Sequence, residues 1–134
     1  MAPLEAFLVT PEQELWSGSA SMVIARGTEG EVGVLAGHAP MLIRLAAAPL
    51  RIQRDGQEDR FVVDGGFLHV VSTPEATRVD ILADGAVRVE DIDVEAARRE
   101  REEAEEALSQ SPDDQSATLR LARAAARLDA AEGR

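Results

Sequence analysis

An abrupt change of pattern near residue 90 constrains this chain more than any other feature. Before it, short runs of β-branched and aliphatic residues are broken by Gly, Asp, Pro and Thr, the spacing of an all-β sandwich. After Val89 strong helix formers take over, and Asp93 to Leu108 reads DVEAARREREEAEEAL. A strand alternates its side chains between two faces, whereas a helix gathers them on one stripe, so the two parts belong to different layers. The expected architecture is mainly β with an α appendage. A β-sandwich of about ten short strands fills residues 1–90, and an antiparallel αα-hairpin fills 91–134.

Within the head, Leu4 to Val9, Ser21 to Ala25 and Glu31 to Leu35 read as strands. Leu50 to Arg54 alternates strictly, Asp55-Gly56 is a hairpin-turn dipeptide, and Asp59 to Val63 resumes β character beyond an expected loop of four residues, 55–58. Phe67 to Val71 and Arg78 to Leu82 are two further runs, separated by a turn around Thr73-Pro74.

In the appendage, Asp93 is the expected N-cap of the first helix, and 109–114 (SQSPDD) breaks it. Ser116 or Asp114 can cap the second helix. The pair offers only four leucines, Leu108, Leu119, Leu121 and Leu128, each contributing about 1.5–3 kcal/mol if fully buried. The rest of its contact face is mostly Ala, so the hairpin depends on docking and should be loosely held. Glutamates crowd the first helix, while Arg120, Arg123 and Arg127 share one face of the second. Those arginines either neutralise the acidic helix or meet an acidic partner when the hairpin opens.

The chain has 134 residues, a formal charge of −11 and no Cys. That charge opposes general binding to nucleic acid and to anionic lipid, and favours protein partners. All 14 basic residues are Arg, which excludes lysine Schiff bases and a P-loop lysine. The absence of Cys excludes disulfides and thiolate chemistry and fits a reducing compartment. No apolar run approaches the roughly 20 residues of a membrane-spanning helix, and the opening MAPLEAFLVT lacks the features of a signal peptide, so residence in the cytoplasm without lipid insertion is expected.

Known constellations for catalysis are missing. Glycines from Gly27 to Gly33 fit neither G-x-G-x-x-G nor a P-loop, and their expected use is in turns. His38 and His69 lie outside any metal-ligand spacing, with His38 in an expected loop and His69 in a strand. Ser17, Ser19 and Ser21 form no nucleophile elbow. No catalytic residue, metal site or resident cofactor is expected.

Four segments in order carry a family resemblance. Gly30-Glu31-Val32-Gly33-Val34-Leu35-Ala36-Gly37-His38-Ala39-Pro40 closely resembles the G-E-(aliphatic)-G-x-x-P-G-H-A-P signature of the epsilon subunit of bacterial rotary ATP synthases, with Ala36 in place of the first proline. Glu14-Leu15-Trp16-Ser17-Gly18, Asp64-Gly65-Gly66-Phe67-Leu68-His69-Val70 and Ile81-Leu82-Ala83-Asp84 are similar to other family elements.

The resemblance implies a non-catalytic central-stalk rotor subunit on the cytoplasmic face of a bacterial plasma membrane. Its head would bind the gamma subunit and the c-ring through Glu29, Gly30, Glu31, Gly33, Gly37, His38, Ala39 and Pro40. Its hairpin would extend into the alpha/beta ring and suppress ATP hydrolysis, with Arg120, Arg123 and Arg127 contacting the beta subunit. Some relatives bind regulatory ATP on the folded hairpin through an Ile-Asp-x-x-Arg-Ala motif and second-helix arginines. Ile92, Asp93, Arg123 and Arg127 match, but Ala96 replaces the motif arginine and removes a phosphate contact, which argues against ATP sensing. The rival readings are a free nucleotide-sensing protein and a generic β-sandwich adaptor.

Overall fold

The computed structural model describes residues 3–133. Eight strands come first: β1 (Leu4–Val9), β2 (Glu14–Ala20), β3 (Met22–Gly27), β4 (Gly30–Val34), β5 (Met41–Arg54), β6 (Gln57–Ser72), β7 (Thr77–Ala83) and β8 (Ala86–Arg88). A 3-10 turn (Val89–Asp91) then leads into helices α1 (Val94–Gln110) and α2 (Gln115–Ala131). The boundary expected at residue 90 falls inside that turn.

The strands hydrogen-bond in the order β2-β1-β7-β6-β5-β3-β4, with β8 on β6. β1 and β7 run parallel; every other pair is antiparallel. Alternation sends Leu4, Ala6 and Leu8 of β1 and Val79, Ile81 and Ala83 of β7 inward. They meet Val23, Leu50, Ile52, Phe61, Leu68 and Val70 in one core.

Ten short strands become eight among the described residues because two segments run on. Leu50 to Arg54 is the end of a strand of 14 residues, and the expected runs 59–63 and 67–71 are one strand of 16. Across Asp64-Gly65-Gly66 β6 keeps its register with β5 on either side and changes its other partner from β8 to β7. A Cβ on Gly66 would lie 2.1 Å from the Leu82 carbonyl oxygen, so only glycine permits that approach. The expected four-residue loop is a tight turn of Asp55 and Gly56, whose φ angles of 48° and 75° match type I′, and pairing resumes with Arg54 opposite Gln57.

β2 has little local strand propensity and is held by long-range contacts. It pairs along β1, and the Trp16 Nε1–H donates to Asp59 Oδ2 of β6 at 2.9 Å. Burial raises the Asp59 pKa, but hydrogen bonds from Arg54 and Trp16 and the charges of Arg54 and Arg88 outweigh it and hold the carboxyl below its ordinary value.

Asp93 caps α1 by accepting the Ala96 N–H at 3.0 Å, and Asp114, rather than Ser116, caps α2 through the Ala117 N–H at 3.0 Å. Ala97 and Ala104 on α1, and Ala117 and Ala124 on α2, are buried seven residues apart, a heptad of small side chains that lets the helices approach closely. The four leucines contribute less than full burial would allow. Only Leu128 is buried, and Leu119 is 71% exposed. α2 rests on the head through a small patch in which Val62, Ala126 and Ala130 are buried and Val87, Val89 and Ile92 pack around them.

Candidate functional site: a partner-facing strip and a docked hairpin

Among the described residues β4 pairs with β3 alone, which leaves its other edge open there. Glu29 and Gly30 sit at the β3–β4 turn, Glu31 and Gly33 lie along β4, and Gly37, Ala39 and Pro40 lie in the exposed connection to β5 with the half-buried His38. The predicted residues therefore form a strip rather than a pocket, with Glu29 and His38 at opposite ends of β4, on the order of 15 Å of strand apart. Beside the first end is a hollow of about 290 Å³ lined by Glu29, Gly30, Glu31, Val32 and Leu42.

At the second end residues 35–38 form a turn closed by the His38 N–H donating to the Leu35 carbonyl at 3.1 Å. Gly37, third in the turn, has φ +85°, the value type II demands and glycine supplies without strain. Ala36 is second, where proline would preset the backbone. His38 Nδ1 lies 2.7 Å from the Ala39 carbonyl oxygen, and because a carbonyl only accepts, the proton is on Nδ1.

The alternation of β5, β6 and β7 places a second surface next to this strip. Leu42 is 66% exposed and Leu82 51%, with Phe67 and Val71 also exposed. Phe67 pairs with Leu82 on one side and Arg44 on the other, and His69 pairs with Leu42, so these side chains share one face of the sheet. Arg44 lies 5.6 Å from the Phe67 ring centroid and covers it only in part. The strip reading missed this face. Its signal was present in Phe67-Leu68-His69-Val70-Val71, where large apolar residues occupy the solvent-facing alternate positions as well as the inward ones.

An ion pair ties the hairpin to the head. Arg127 of α2 donates to both oxygens of Asp64 of β6, at 2.5 and 3.1 Å. The side chains are only 20% and 13% exposed. Arg123 donates through Nε to Glu100 of α1 at 2.7 Å and through a second nitrogen to the same oxygen, closing the hairpin on itself. Arg120 makes no ion pair among the described residues.

The residues matched to a nucleotide motif serve separate contacts here. Ile92 packs in the patch beneath α2, Asp93 caps α1, and Arg123 and Arg127 hold Glu100 and Asp64. A cleft of about 610 Å³ opens beside α2, lined among others by Arg44, Asp64, Phe67, Asp84, Leu119 and Arg123. No metal-holding cluster of three or more His, Cys, Asp or Glu occurs among the described residues, and none of the described helices is long and apolar enough to cross a membrane.

Residues 4–89 match the β-sandwich domain of the ATP synthase delta/epsilon chain, and residues 90–132 match the long α-helix domain of the same chain. An ATP synthase epsilon chain of Teredinibacter turnerae is 42% identical over 126 residues, covering 90% of this chain and 86% of that one. One from Shouchella clausii is 37% identical over 133 residues, covering 98% and 97%. A chain from the cryo-EM structure of the Euglena gracilis mitochondrial ATP synthase, comprising OSCP, F1 and c-ring, superposes with a TM-score of 0.81 at 33% identity, covering 98% of this chain and 82% of that one. Matched through both its sandwich and its hairpin, the chain belongs to the ATP synthase delta/epsilon chain family.

Proposed function

We propose that this chain is the epsilon-type rotor subunit of a proton-translocating ATP synthase, without an active site of its own. Its head joins the gamma subunit to the c-ring, and its hairpin acts as a brake on ATP hydrolysis when it leaves the head. It works at the cytoplasmic face of a bacterial plasma membrane, held there by its partners. The observation that carries this reading is the solvent-facing apolar sheet face of Leu42, Phe67, Val71 and Leu82 beside the 35–40 turn. An apolar patch of this kind marks a protein contact, and a shaft and ring flanking the head account for a face and an edge used together.

The hairpin reading rests on how α2 is seated: it brings the small side chains Ala126 and Ala130 to the buried patch against Val62, and its Arg127 pairs with Asp64 of β6. When the hairpin leaves the head, Arg127 is freed from Asp64 and joins Arg120 in facing acidic partner groups such as those of the beta subunit, while Arg123 stays paired with Glu100 until the two helices also separate. Regulatory ATP is not part of the proposal, because Ala96 supplies no charge to a phosphate and both arginines already have carboxylate partners.

Size-exclusion chromatography with a cognate gamma subunit tests the assignment. The expected result is a one-to-one complex that Leu82→Asp abolishes while the isolated variant keeps its thermal transition. Failure of the wild-type chain to co-elute over a range of salt concentrations would refute the rotor assignment and favour a free sandwich module.

A further inference from the structure

The 35–40 turn is clamped from beneath by two hydroxyls that no sequence motif marks. Thr77 opens β7 wholly buried, locked by its pairing with Leu4 of β1 and Ser72 of β6 and by its own N–H, which donates to the Pro3 carbonyl at 2.9 Å. Its Oγ1 accepts the Gly37 N–H at 2.6 Å and lies 3.1 Å from Ser72 Oγ. Ser72 Oγ lies 2.5 Å from the His38 carbonyl oxygen.

Proton counting orients this chain. The His38 carbonyl can only accept, so the single Ser72 hydroxyl proton goes to it. Ser72 then has no proton for Thr77, and the Thr77 hydroxyl donates to Ser72 Oγ. The result is a head-to-tail series: Gly37 N–H to Thr77, Thr77 O–H to Ser72, Ser72 O–H to the His38 carbonyl. It begins and ends on adjacent residues of the turn and fastens both to the rigid β6–β7 pair.

We propose that Thr77 and Ser72 are positioning residues that pre-organise the 35–40 turn for its rotor partner; this rests on the rotor reading above. Neither hydroxyl needs to touch the partner. They act through Gly37 and His38, fixing where His38 and Pro40 are presented, so that the complex spends less of its binding free energy on ordering the turn.

Two measurements on the full chain test this. Amide hydrogen exchange of the isolated protein is compared for wild type, Thr77→Val, Thr77→Ser and Ser72→Ala. Thr77→Val keeps shape and volume but neither accepts from Gly37 nor donates to Ser72. The expected result is exchange at Gly37 about tenfold faster or more, with Val79 and Ile81 unchanged as internal controls and Thr77→Ser close to wild type. Unchanged Gly37 exchange, or an equal rise at every amide, would overturn the clamp and leave Thr77 an ordinary core residue.

Dissociation from a gamma–c-ring complex is then followed for the same variants. Dissociation about tenfold faster for Thr77→Val, with recovery in Thr77→Ser, supports the positioning role. Faster Gly37 exchange with unchanged dissociation would overturn it, since the turn would be clamped but irrelevant to the partner. Failure of wild type to bind at all would instead sink the rotor reading, while the exchange data still decide whether the clamp exists.

Discussion

Breaking the Arg127–Asp64 pair should release the hairpin. The pair joins α2 to β6 as a two-pronged contact, and with side chains 20% and 13% exposed it lies between a surface pair, worth about 1 kcal/mol at most, and a fully buried one, whose breakage costs about 3–5 kcal/mol. A cost of about 2 kcal/mol for Arg127→Met or Asp64→Asn is therefore reasonable, and it shifts the balance between docked and released hairpin about 30-fold. The apolar attachment of Ala126 and Ala130 against Val62, with Val87, Val89 and Ile92 around them, remains, so the shift is toward release rather than complete release. Because the chain has no Cys, spin labels on Glu75→Cys and Asp113→Cys, at the β6–β7 turn and the hairpin tip, report the separation directly by pulsed electron resonance. The wild type should give one dominant distance population, and each single variant a broadened one or a second population. The double variant Asp64→Asn/Arg127→Met, which strands no charge, should lose less than the sum of the two. Gly85→Ala should act in the same direction more weakly, because its Cβ would meet Asp64 Oδ2 at 2.5 Å and turn the carboxylate out of the fork. Distances unchanged in both single variants, or strictly additive effects, would refute the latch.

Ala36→Pro should stabilise the head by about 0.4–1 kcal/mol in urea unfolding, since the second position of the Leu35–His38 turn favours proline; destabilisation would mean its backbone is incompatible. Asp59 is expected to stabilise the fold above the ordinary carboxyl range and to lose that contribution as pH falls through its depressed folded-state pKa. Fluorescence-detected unfolding of the sole tryptophan, Trp16, should show the stability gap between wild type and Asp59→Asn closing on acidification, and a gap independent of pH would contradict this. Ala104→Leu should overpack the α1–α2 seam by about 1–3 kcal/mol and raise amide exchange in both helices while leaving β6 and β7 protected; equal loss in the sheet would show that hairpin and head unfold as one unit.

What the sequence determined by itself was carried by neighbours a few residues apart. The change of period near residue 90 separated strands from helices, Asp93 announced the first cap, Asp114 or Ser116 the second, and Asp55-Gly56 a turn though not its two-residue length, because each depends on backbone preference or a hydrogen bond spanning two to four residues. The segment 30–40 identified the family for the same reason: its order is local. Where a local signal was weak, tertiary contacts decided. β2, with its Ser and Gly, is a strand because β1 pairs with it, and β6 stays continuous through two glycines because β5 holds both its ends.

The site was legible only in part. The exposed strip could be read from its motif, but the face of Phe67 and Leu82 exists only once β6 and β7 are in register, and Leu119 could not be assigned to solvent before the alanines of both helices had taken the seam. The pairs that fasten the moving and presenting parts, Arg127 with Asp64, Gly37 with Thr77 and Ser72 with His38, span 63, 40 and 34 residues. No periodicity relates such positions. Folding the sheet over itself brings them together, and only at that point do a charge and two hydroxyls, individually unremarkable along the chain, find their partners.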